Sequence, residues 1–90
     1  MSSKRITYKV QGRVQGVNFR AFTQRQAEDA GVTGWVKNGS DGTVQGEAQG
    51  TDEKIKEFIK DLNRGPPAAK VESVSTSDID TKEGESGFSV

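Results

Sequence analysis

The chain has no cysteine and no histidine, and its 90 residues include only two prolines, one tryptophan and one tyrosine. Without cysteine there are no disulfides, no thiolate metal sites and no cysteinyl-phosphate intermediate. Without histidine, the commonest general base and the commonest metal ligand are both missing. No apolar run approaches the ~20 residues that a membrane-spanning helix needs. The polar start Met1-Ser2-Ser3-Lys4-Arg5 also lacks the hydrophobic segment of a signal peptide, so a soluble, cytoplasmic protein with no membrane partner is expected. Net charge is absent as well, with 13 Lys/Arg against 13 Asp/Glu. Leu, Ile, Val and Phe together number only 18. Zero net charge removes the self-repulsion that accompanies disorder, so one small folded domain over residues 1–90 is expected.

The neutrality is uneven. Residues 1–45 carry seven Lys/Arg against three Asp/Glu and residues 46–90 carry six against ten, so the halves are +4 and −4. A basic first half suits a small anion, whereas a neutral whole projects no long-range field toward a nucleic-acid backbone. The aromatics are few and form no run of the kind that stacks RNA bases, so no nucleic acid is expected as a partner.

Ile6, Tyr8 and Val10 alternate with Thr7 and Lys9, which predicts a half-buried strand over residues 5–11. A helix is expected over roughly 19–30, with Asn18 as N-cap, Gly31 as stop, and Phe22, Ala27 and Ala30 on one face. Val32 to Asn38 and Thr43 to Gln49 read as a hairpin about the turn residues Gly39-Ser40-Asp41-Gly42. Thr51 caps a second helix whose Ile55, Phe58, Ile59 and Leu62 form an apolar stripe, ended by Gly65-Pro66-Pro67. Lys70 to Ile79 is strand-like, but Val71 and Val74 differ in parity, so a bulge is required if both are buried. Phe88 and Val90 suggest a short last strand.

The order strand, helix, strand, strand, helix, strand predicts an α+β, ferredoxin-like split βαβ sandwich. It implies an antiparallel sheet in the order 4-1-3-2, with both helices on one face. In that arrangement the first two strands run parallel, so residues after Val10 and residues after Val36 emerge at the same end of the sheet. This fold hosts unrelated activities, and function must be read from that end.

The segment Gly12-Arg13-Val14-Gln15-Gly16-Val17-Asn18-Phe19-Arg20 joins the first strand to the first helix. Its glycines allow the backbone to curl into an anion-binding nest, to which a helix N-terminus adds free amides and partial positive charge. Arg20 is out of place in a first helical turn, where the helix dipole favours an acid. A bound phosphate would reverse that penalty by giving the guanidinium a two-pronged partner; the alternative is a solvated Arg20 paired with a nearby acid. The pattern is neither a Walker loop nor a dinucleotide fingerprint. Asn38, before Gly39, suits plain turn chemistry. Its predicted position would also let its carboxamide hydrogen-bond a water or ligand oxygen beside Arg20. Phe19, Phe22, Phe58, Trp35 and Val36 read as packing residues.

Two motifs carry a resemblance. Val10-Gln11-Gly12-Arg13-Val14-Gln15-Gly16-Val17-Asn18-Phe19-Arg20 is followed by Gly34-Trp35-Val36-Lys37-Asn38, with Gly42, Val44 and Gly50 at matching spacing and Gly65-Pro66-Pro67-Ala68 beyond. In these residues, and in length and element order, the whole chain resembles the acylphosphatases, small ferredoxin-like hydrolases of carboxyl phosphates. The resemblance implies that Arg20 and the backbone amides of Gln15, Gly16, Val17, Asn18, Phe19 and Arg20 bind the phosphate, while Asn38 positions the attacking water. The expected substrate is a small-molecule acyl phosphate, with inorganic phosphate as product and competitive ligand. No cofactor is expected. Asp41 is the only acid between residues 30 and 46, so no carboxylate pair is available for magnesium and no metal is expected. The absence of a long apolar surface run favours a monomer. A non-catalytic anion-binding module is the alternative reading, and a domain that binds proteins through its sheet edge is a third.

Overall fold

The computed structural model describes residues 3–90; Met1 and Ser2 of the polar start lie outside the described residues. The order is β1 (Ser3–Arg13), α1 (Phe19–Ala30), β2 (Thr33–Asn38), β3 (Val44–Thr51), α2 (Asp52–Arg64), β4 (Lys70–Ile79) and β5 (Phe88–Ser89). The strands form one sheet in the order β4-β1-β3-β2-β5. Strand β3 pairs antiparallel with both β1 and β2, which makes those two parallel to each other. The expected ferredoxin-like α+β fold and its 4-1-3-2 core are therefore present. At its outer margin the sheet becomes mixed, because β5 pairs in parallel with β2 through Gly34–Phe88 and Trp35–Ser89.

Period-2 burial gives the sheet two different faces. Ile6, Tyr8, Val10, Val36, Val44 and Ala48 share a core with Phe19 and Ala27 of α1 and Ile55, Phe58 and Leu62 of α2. Burial of each large side chain in this layer contributes about 1.5–3 kcal/mol. In α1 the inward face is Phe19, Thr23 and Ala27, with Phe22 and Ala30 half-buried at its margin. Buried Thr23 stays satisfied because its hydroxyl donates to the Phe19 carbonyl at 2.8 Å. Trp35 departs from the expectation. It lies half-buried on the helix-free face, with the Lys37 ammonium 5.5 Å from its ring centroid, and the core takes Val36 instead.

Two glycines permit close approaches. Tyr8 lies over Gly46, and its hydroxyl donates to the Trp35 carbonyl at 2.8 Å. A Cβ at Gly46 would stand 2.0 Å from that carbonyl oxygen and 2.5 Å from the phenol oxygen. The bulge required by Val71 and Val74 occurs where β1 meets β4. Gln11 faces Ser73 and Gly12 faces Val71, which leaves Glu72 without a partner and lets both valines pack against the core. Gly12 adopts φ +130, and a Cβ there would come within 2.1 Å of the Lys70 carbonyl oxygen.

The connection from β4 to β5 is fastened across the helix-free face by a buried guanidinium. Arg5 is only 2% exposed. It donates to Glu85 at 2.8 and 3.2 Å, to Glu47 at 2.9 Å and to Gln49 at 3.2 Å. Gln49 also grips the Lys82 backbone twice, donating to its carbonyl at 3.0 Å and accepting from its amide at 2.8 Å. Gln24 of α1 then donates to the Phe88 carbonyl at 2.9 Å, holding β5 from the other side.

Candidate active site

Left-handed conformations at Gly16 (φ 75) and Asn18 (φ 63) curl the segment between β1 and α1. Asn18 is the only non-glycine residue with positive φ among the described residues; its short polar side chain tolerates that region better than most. It occupies the N-cap position, as expected, but does not cap. A capping side chain needs extended backbone to reach the first amides, and left-handed Asn18 makes no side-chain cap hydrogen bond. The first amides of α1 are consequently left free, and no acidic residue stands in its first turn.

Arg20 extends from that turn, exposed, and makes no ion pair among the described residues. Pairing with a nearby acid, the bland reading of Arg20, is absent. Asn38 is the last residue of β2 and shares parity with buried Gly34 and Val36, so it faces the side on which α1 packs. The turn after it is closed by other groups. Gly39 N–H donates to the Thr43 carbonyl at 2.7 Å, and the Thr43 hydroxyl and amide both donate to Asp41. Those bonds, the Thr43 hydroxyl foremost and then Lys9, hold the Asp41 carboxyl well below the usual carboxylate range. The Asn38 carboxamide has no hydrogen bond among the described residues and takes no part in the turn.

Arg20 and Asn38 line one hollow of about 290 Å³ together with Val14, Gly16, Asn18, Phe19, Ala21 and Val90. Among the sequence candidates, Gly16, Asn18, Phe19, Arg20 and Asn38 therefore meet. Gln15 and Val17 belong to the same curl but do not line the hollow. The Gln15 side chain turns the other way, toward the hairpin. Sequence reasoning missed Val90, which is 56% exposed beside Arg20 and Asn38. No sequence signal marks it: only the parallel pairing of β5 in the structure carries the residue after Ser89 along β2 toward Asn38. A larger hollow of about 350 Å³ lies on the helix-free face, among Thr7, Lys9, Trp35, Glu47 and Ser75. Its one lining cation, Lys9, is already paired with Asp41 at 2.9 Å, and no free helix end opens into it. Among the described residues, no three of His, Cys, Asp and Glu cluster to hold a metal, and no helix is long and apolar enough to cross a membrane.

Free amides, an unpaired guanidinium and an unpaired carboxamide around one hollow suit a tetrahedral oxyanion with a neutral nucleophile beside it. The family model described as Acylphosphatase matches residues 6–90. An acylphosphatase of Salinibacter ruber is 43% identical over 89 residues, covering 99% of this chain and 94% of that protein. The crystal structure of the Bacillus subtilis acylphosphatase superposes with a TM-score of 0.92 at 37% identity and covers 97% of both chains. The structure of an acylphosphatase from Coxiella burnetii gives 0.91 at 38% identity, covering 97% of this chain and 90% of its own. By sequence and by fold, the chain belongs to the acylphosphatase family.

Proposed function

We propose that the chain hydrolyses the carboxyl–phosphate bond of small acyl phosphates, with Arg20 and the amides of Gln15, Gly16, Val17, Asn18, Phe19 and Arg20 holding the phosphoryl group and Asn38 aiming the water. The reading is carried by one observation: Arg20, without an acid, and Asn38, without a role in its own turn, line the same hollow at an uncapped helix N-terminus.

The chemistry suits these groups. Asn38 is not a base and there is no histidine, but the leaving group is a carboxylate whose pKa is about 4, so it departs without a general acid. Water attacks phosphorus as the bond to the acyl oxygen breaks. In this loose transition state, charge spreads over three phosphoryl oxygens, where positioning and electrostatics supply most of the rate. A phosphoryl oxygen takes the proton of the water, giving carboxylate and inorganic phosphate. No step needs a metal ion or a phosphoenzyme. The scheme needs no residue from a second copy, and the protein is taken to act as a monomer, one domain over residues 1–90, in the cytoplasm.

The decisive measurement is loss of benzoyl phosphate and acetyl phosphate in EDTA, with a phosphate monoester as negative control. Turnover of the acyl phosphates alone is expected, with Arg20→Ala inactive. Asn38→Ala is expected to lower kcat while leaving competitive inhibition by inorganic phosphate nearly intact, since its partner is water. Loss of phosphate inhibition at normal kcat would reverse that assignment. Phosphate binding without turnover would identify a non-catalytic anion-binding module, and strict dependence on magnesium would refute the metal-free scheme.

A further inference from the structure

The loop that carries the free amides and the hairpin that carries Asn38 belong to different parts of the chain, and one side chain joins them. Gln15 Nε2 donates to the Gly39 carbonyl at 2.8 Å and to the Thr43 carbonyl at 2.9 Å. A carboxamide nitrogen has two hydrogens, so both are used, one on each arm of the hairpin neck. That neck is already closed by Gly39 N–H to the Thr43 carbonyl at 2.7 Å. Gln15 therefore grips a rigid ring next to Asn38. Among the described residues, no other hydrogen bond or ion pair links residues 14–18 to residues 38–43. Lys9, which holds Asp41, comes from β1 and not from the loop.

We infer that Gln15 is a positioning residue whose side chain sets the distance between the phosphate loop and Asn38, so that it governs turnover and not phosphate affinity. The inference rests on the functional reading above and deepens it. Arg20 and the amides stay on the loop whether or not the strap is made, so anion binding survives its loss. Asn38 depends on the strap to stand in line with a phosphoryl group held on the other side, and misplacement of such a group by about an ångström costs up to roughly 100-fold.

Three variants test it. Gln15→Met keeps the length and removes the donor. Gln15→Glu keeps the shape and, when ionised, faces two carbonyl oxygens with a third oxygen. Protonation of that carboxyl returns one donor. Both should stay folded, with a lowered melting temperature, and bind inorganic phosphate within about twofold of the wild type, with kcat reduced roughly 10- to 100-fold at neutral pH. Relative to wild type at each pH, Gln15→Glu should recover on acidification and Gln15→Met should not. Adding Gln15→Met to Asn38→Ala should change kcat little, since the two act through one group. Hydrogen exchange at the Gly39 amide should quicken in Gln15→Met, a readout that needs no turnover. If wild type fails to hydrolyse acyl phosphates, the functional reading falls, while unchanged exchange in Gln15→Met removes the strap itself. Faster exchange with unaltered kcat, an equal loss of phosphate affinity, or additive losses with Asn38→Ala would each overturn the positioning role.

Discussion

Replacing Arg20 by lysine retains the charge and loses the fork. An ammonium cannot span two phosphoryl oxygens in one plane, so Arg20→Lys is expected to forfeit about 3 kcal/mol of transition-state stabilisation, roughly 150-fold in kcat/KM for benzoyl phosphate. Near-normal turnover would contradict it. Arg20 was visible in the sequence because a cation in a first helical turn breaks a local rule, and such breaks gather at functional sites. Asn38 was visible only through topology, since locally it passes for turn chemistry; Asp41 and Thr43 do that work instead. Asn18 was legible as the N-cap position but not as a residue that leaves the amides free, because an asparagine before a helix suits both a side-chain cap and a left-handed backbone. Which of the two holds depends on the backbone of the loop before it. The side chain of Gln15 was not legible at all, as its partners are carbonyls 24 and 28 residues away.

At the scale of elements, the two helices begin in opposite ways. Helix α2 has the Thr51 hydroxyl accepting from Lys54 N–H at 3.2 Å, with Asp52 and Glu53 in its first turn. Helix α1 has no side-chain cap and no acid there, and instead carries Arg20. An unfinished helix end costs stability that a bound anion returns. Thr51→Ala should therefore destabilise the protein by about 1 kcal/mol. Arg20→Gln should raise the melting temperature of the free protein slightly, by about 0.3–1 kcal/mol in stability, while abolishing the rise that phosphate gives the wild type. Thermal denaturation with and without phosphate reads both, and a wild type indifferent to saturating phosphate would sink the expectation. The bounds of α1 and β4 were readable from periodicity and from glycine and proline, and the bulge from the clash of parity between Val71 and Val74. The partner of β5 was not, because a strand of two residues has no period.

Taken whole, the molecule is tied together by contacts between its ends. Arg5 and Glu85 are 80 residues apart, and nothing local marks Arg5 as buried, so the clamp could not be foreseen. Arg5 holds the Glu85 carboxyl below its ordinary range, and Glu85, with Glu47, raises the Arg5 guanidinium. A carboxyl depressed in the folded state adds stability above its unfolded value of about 4.3, and that stability fades as pH falls through the folded value. Glu85→Gln should accordingly lose about 2 kcal/mol at neutral pH, with the gap in melting temperature closing in acid. A gap that persists unchanged at low pH would show that the pair is not ionic in effect.

The bond from Tyr8 to the Trp35 backbone sets the only phenol beside the strand that carries the only indole. In the native protein the light absorbed by tyrosine passes to tryptophan, and on unfolding it is emitted by tyrosine itself. Because neither ring lines the hollow of Arg20 and Asn38, this fluorescence should follow the integrity of the sheet and not occupancy of the hollow.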